Sequence, residues 1–135
     1  MTHVRTLARL LALALPAAWP AAARADHDVP FAGALTSTAT STSVIPDGLL
    51  RIEGTVAGRG IVLCKLTGSF TYEVNLADGS FAGTLTKVAA NGDEVHETFT
   101  GQFNADFTAS VGEFVIQGGT GRFQDATGAG RSAAR

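Results

Sequence analysis

Beyond residue 30, apolar and polar positions alternate with a period of two, and Gly, Asp and Asn cut the alternation at short intervals. Successive side chains of a strand point to opposite faces, so this rhythm predicts an antiparallel β-protein, and helical spacing is absent. The first strand is expected over residues 31–42, with Phe31, Gly33 and Leu35 on one face, and Pro46-Asp47-Gly48 turns the chain. Leu50, Ile52, Gly54 and Val56 then alternate against Arg51, Glu53 and Thr55. Gly58-Arg59-Gly60 predicts a break. Residues 61–66 open a long strand that Gly68 is expected to bulge before Phe70, Tyr72, Val74 and Leu76 resume the alternation. Residues 81–88, 94–103 and 110–117 complete the series, with a looser link at 104–107 and with Phe114 and Ile116 inward.

Two hairpins carry a register. A two-residue turn at Asp78-Gly79 sets Leu76 opposite Phe81 and Tyr72 opposite Leu85, which keeps the large apolar groups together. A two-residue turn at Asn91-Gly92 would throw Val95 and Phe99 onto the wrong face. A three-residue Ala90-Asn91-Gly92 loop with Gly92 left-handed instead sets Leu85 opposite Glu97. Tyr72, Leu85 and Glu97 then form one row, with Lys87 diagonal to Glu97, on a face that also carries Phe70, Val74, Leu76, Phe81, Val95, Phe99 and Phe103. Tyr72, Leu85, Glu97 and Phe99 are the candidate ligand-binding residues.

A carboxylate on such a face is the one chemical oddity of the chain. Burial raises a carboxyl pKa and a neighbouring lysine lowers it, so Glu97 is a candidate acid or base, with Tyr72 as a donor to a bound oxygen. The plainer alternative is that Glu97 pairs with Lys87 or meets water at a rim. If it lacks a good partner, Glu97→Leu is expected to stabilise the protein. His96 points to the opposite face.

The other punctuated stretch runs from Ile116 to Gly130 and holds five glycines in fifteen positions. Gly118, Gly119, Gly121 and Gly128 are read as turn positions where a Cβ would clash or φ is positive, and Phe123 as the anchor of the turn in the core. Arg122 is expected to bond turn carbonyls or an acid such as Asp125. Gly119-Thr120-Gly121 is not a phosphate loop, since no lysine follows and no helix opens.

The amino end changes the picture of where the chain works. His3, Arg5 and Arg9 precede a short apolar run broken by Pro16, and Ala23-Arg24-Ala25 is a small-x-small cleavage site, the three parts of a secretory signal peptide. The run falls short of the roughly 20 residues a bilayer requires. Residues 1–25 are therefore expected to be a leader and residues 26–135 a single β-barrel domain, secreted or periplasmic. The leader removes three of the 10 Lys and Arg, so the mature chain sets seven basic residues against 12 acidic ones. That balance argues against nucleic acid and anionic membrane as partners. The single cysteine, Cys64, excludes an internal disulfide and is expected to be a buried, inert thiol. His27 between Asp26 and Asp28 is read as solvated, and no spacing of His, Cys or acid suggests a metal, so no cofactor is expected.

Ala89-Ala90-Asn91-Gly92-Asp93, Thr100-Gly101, Gly118-Gly119-Thr120-Gly121-Arg122-Phe123 and Ala126-Thr127-Gly128 resemble the exported bacterial proteins related to the allene oxide cyclase and dirigent barrels. The resemblance implies a closed eight-stranded antiparallel β-barrel whose apolar interior takes a small organic ligand. Its plant members cyclise an unstable epoxide or steer phenolic radical coupling, but none of their catalytic residues maps onto this chain. In such proteins further strand follows the glycine-rich turn, whereas residues 129–135 here lack strand patterning. The barrel is thus expected to be incomplete at its C-terminus, through a shortened chain or because a partner completes the sheet, and an open edge favours homo-oligomers. Two functions follow: a module that binds a small hydrophobic or aromatic molecule in its interior, or a cyclase or isomerase acting on one. A purely structural exported domain is the third reading.

Overall fold

Alternation of side chains, repeated hairpin after hairpin, produces a meander in which every strand pairs antiparallel with its neighbour in sequence. The structure, a computed structural model, describes residues 14–15 and 31–135. The two-residue β1 (Ala14–Leu15) is followed by seven long strands: β2 (Gly33–Ile45), β3 (Leu49–Gly60), β4 (Cys64–Asn75), β5 (Ser80–Ala89), β6 (Glu94–Phe103), β7 (Ser110–Gly119) and β8 (Gly128–Ala134). Single 3-10 turns stand at Pro46–Gly48 and Gly121–Phe123. Among the described residues no helix is long and apolar enough to cross a membrane.

Seven antiparallel strands in one sheet make the body of the protein. They do not close into a barrel by themselves, because β2 and β8 do not pair with each other. Ala14 pairs with Ala34 and with Ala133, and Leu15 with Gly33, so among the described residues the ring of pairing is completed only through these two. The remainder of the proposed leader, and Asp26, His27 and Asp28, lie outside the described residues.

The tail expected to lack structure is a strand. Residues 128–134 pair with β7 from Ile116↔Gly128 to Ser110↔Ala134. Their small side chains conceal the pattern but fit the partner: Gly128 lies opposite Ile116 and Gly130 opposite Phe114, where a large neighbour fills the interior for both. The segment after the glycine-rich turn is therefore a strand of the sheet.

Three other boundaries move. β3 runs through Gly58 and Gly60, which pair with Leu66 and Cys64, and the chain reverses at residues 61–63 instead. Leu63 drops into the core while Ile61 stays 62% exposed. Gly68 makes no bulge, since β4 pairs continuously with both neighbours across it. Cys64 begins β4 with a φ of 56° and is exposed, not buried.

The β4–β5 turn is longer than two residues. Asn75 Oδ1 accepts from the Ala77 amide at 2.9 Å and Asp78 Oδ1 from the Ser80 amide at 2.8 Å, while Gly79 takes a φ of 77°. These two side-chain turns insert Leu76, which points outward, and shift the register by two. Val74 consequently faces Phe81, Tyr72 faces Gly83, and Phe70 faces Leu85. The β5–β6 turn is the three-residue loop with Gly92 at a φ of 91°, and Leu85 faces Glu97.

Across the β3–β4, β4–β5 and β5–β6 ladders, rings lie beside glycines. Phe70 lies opposite Gly54, Tyr72 opposite Gly83 and Phe81 opposite Gly101. A Cβ at Gly83 would sit 2.7 Å from the Tyr72 Cα, with backbone rather than a flexible tip in the way. Gly83→Ala is expected to cost about 1–3 kcal/mol, and a melting temperature lowered by about 4–8 °C per kcal/mol is the check.

Candidate functional site

The inward positions of β4, β5 and β6 deliver aromatic rings to a common interior. Phe70, Tyr72, Phe81, Phe99 and Phe103 form a connected set with centroid separations of 4.9–6.1 Å, extended by Phe107 at 5.6 Å from Phe103. Leu85, Val95, Phe114 and Ile116 are buried around them. All four candidate ligand-binding residues, Tyr72, Leu85, Glu97 and Phe99, are buried. They do not make the expected row. Leu85 and Glu97 are partners, but Tyr72 is one row away, aligned with Gly83 and Phe99 and in ring contact with Phe99 at 6.1 Å.

Charge enters this interior at one place among the described residues. Lys87 shares the inward parity of Leu85 and Ala89, and its Nζ donates to Glu97 Oε1 at 2.7 Å, the two side chains being 1% and 2% exposed. The hydrophobic surroundings act on both: burial pushes the Glu97 carboxyl up and the Lys87 ammonium down, and their mutual attraction pulls each back toward its charged form. The ammonium also lies over two rings, 4.8 Å from the Phe31 centroid and 5.4 Å from that of Phe114. Burial raises the Tyr72 phenol well above its ordinary value, so it stays protonated and is a donor at neutral pH.

Pairing gives Glu97 a good partner, which removes the premise on which Glu97→Leu was expected to stabilise. Sequence parity made Lys87 readable as a neighbour of Glu97. The rings over it were not readable, because Phe31 arrives from outside any strand and Phe114 from a strand distant in sequence.

The glycine-rich turn is latched to the β5–β6 hairpin. Gly118 and Gly121 have φ of 100° and 57°. Thr120 donates its amide to the Glu94 carbonyl at 3.0 Å and accepts from the Glu94 amide at 2.9 Å through Oγ1. Arg122 reaches Asp93 at 3.6 Å, not Asp125, and stacks 4.6 Å above Phe123. Gly119 passes close to the Glu94 carbonyl, and Gly128 opens β8. His96 is exposed, beside Glu94 at 3.3 Å.

A groove of about 540 Å³ lies on the outer wall across β6, β7 and β8, between Gln102, Val111, Glu113 and Arg131. It is open and holds no buried charged group, so the interior is the stronger chemical candidate. No three His, Cys, Asp or Glu among the described residues gather as metal ligands. Compared with models of protein families, with curated proteins and with solved structures, the chain matches none.

Proposed function

We propose that this protein is an exported barrel of the allene oxide cyclase and dirigent type whose interior binds a small hydrophobic or aromatic molecule. The observation that carries this reading is the Lys87–Glu97 pair, buried among aromatic rings. Desolvating two charges costs several kcal/mol per ion, and apolar side chains of similar volume would serve stability as well or better. Such a pair has its use in orienting a ligand that brings a polar group into an apolar interior. The motif resemblance at residues 89–93 and 118–128 supports the same reading. The second reading, a cyclase or isomerase, uses the same groups with Glu97 as acid or base and Tyr72 as donor.

Binding is tested with the natively purified protein. Native mass spectrometry is expected to find a co-purifying small molecule, and N-phenyl-1-naphthylamine is expected to brighten on uptake. Leu85→Trp, which fills the interior, should abolish both, with the milder Leu85→Phe reducing them. A folded wild-type protein that carries no compound and leaves the dye dark removes the reading.

Export follows from the leader pattern and bears on assembly. Cleavage before Asp26 takes away Ala14 and Leu15, and with them the only residues pairing β2 to β8 among those described. Two exposed strand edges favour self-association. Exported material is expected to sequence from Asp26 and to sediment as a dimer or larger. An intact leader refutes export, and a monomer beginning at Asp26 refutes the oligomer.

A further inference from the structure

We propose that Lys87 is a carbonyl-reactive amine, so that the molecules this interior accepts include apolar aldehydes or ketones held as a reversible iminium. The inference rests on the interior-binding reading above and names its ligand class. Three features of the surroundings carry it.

The first is the proton path. Glu97 Oε1 stands 2.7 Å from Lys87 Nζ, within direct transfer distance. The ammonium gives a proton to the carboxylate, and the neutral amine forms the N–C bond to the carbonyl carbon. The C=O pair moves onto oxygen, which takes up the second nitrogen proton to give the carbinolamine. Glu97 returns its proton to the hydroxyl, and the C–O bond breaks with its electron pair leaving as water. The nitrogen lone pair completes C=N. Ammonium and carbonyl have become iminium and water, and Glu97 ends as the carboxylate it began as, so no oxidant or further reactant enters.

The second is charge. The product cation occupies the position of the starting cation, so the carboxylate and the faces of Phe31 and Phe114, at 4.8 and 5.4 Å, that hold the ammonium hold the iminium equally well. The third is exclusion of water. Lys87 is 1% exposed, and hydrolysis of the iminium is suppressed where bulk water has no path.

The chain contains its own control, because its two lysines are Lys87 and the exposed Lys65. Incubation of the whole protein with cinnamaldehyde and cyanoborohydride, followed by peptide mapping, is expected to reduce the adduct onto Lys87 at least about 10-fold faster than onto Lys65. Glu97→Gln should slow labelling of Lys87 by about 100-fold, the lower range for loss of a positioned acid–base group, and leave Lys65 unchanged. Wild-type labelling decides the matter even if that variant is unstable. Adducts equal at both lysines, or on Lys65 alone, overturn the proposal. Cinnamyl alcohol, which has no carbonyl, separates the two readings through displacement of the dye: if it binds and Lys87 stays unlabelled, the iminium fails and binding stands. If it does not bind and Lys87 is unlabelled, both fall.

Discussion

Glu97→Leu destabilises the protein by about 3–5 kcal/mol, because it leaves the Lys87 ammonium buried at 1% exposure with no carboxylate to face. The effect reverses in sign when both members leave together. Lys87→Met with Glu97→Leu replaces two desolvated charges by apolar groups of similar length, and the double variant is expected to be as stable as the wild type or more stable by about 1–4 kcal/mol. Urea unfolding of the wild type, both single variants and the double variant measures this directly. The midpoints of the single variants should fall well below those of the other two. Single variants close to wild type would mean that water reaches the pair and that the interior is not the dry site on which both functional readings depend. If the double variant is stable and also fails to take up ligand, the pair serves binding rather than folding.

The all-β antiparallel order was legible because alternation is a local property of the sequence. So was the β5–β6 register, since Gly92 and the demand that Val95 and Phe99 face inward left one loop length. The β4–β5 register was not, because Asn75 and Asp78 make side-chain turns that a count of Asp-Gly alone overlooks. β8 was invisible for a related reason. Its inward residues Gly128, Gly130 and Ser132 are chosen by what β7 places opposite them, and that is information about a partner strand, not about the segment. The candidate site divides the same way. Inward parity supplied Lys87 and Glu97, while the rings of Phe31 and Phe114, whose electron-rich faces hold the ammonium, depend on how the sheet is rolled.

Phe123→Ala is expected to cost about 3–5 kcal/mol, comparable with the loss of Lys87's partner. Phe123 is 8% exposed and belongs to the core cluster, with Ala126 packed against it, while its own segment is a single 3-10 turn with little intrinsic stability. The turn is therefore held by its attachments, and these differ in strength. The Arg122–Asp93 pair at 3.6 Å has side chains 50% and 23% exposed, and a pair so open to solvent contributes less than about 1 kcal/mol. Arg122→Ala should accordingly lower the melting temperature only slightly, although the guanidinium covers the Phe123 ring at 4.6 Å. The ring, not the charge, is what fixes the segment between β7 and β8 over this end of the interior. Equal losses in the two variants would reverse that ranking and make the link to Asp93, and through it to the β5–β6 hairpin, the principal fastening of the turn.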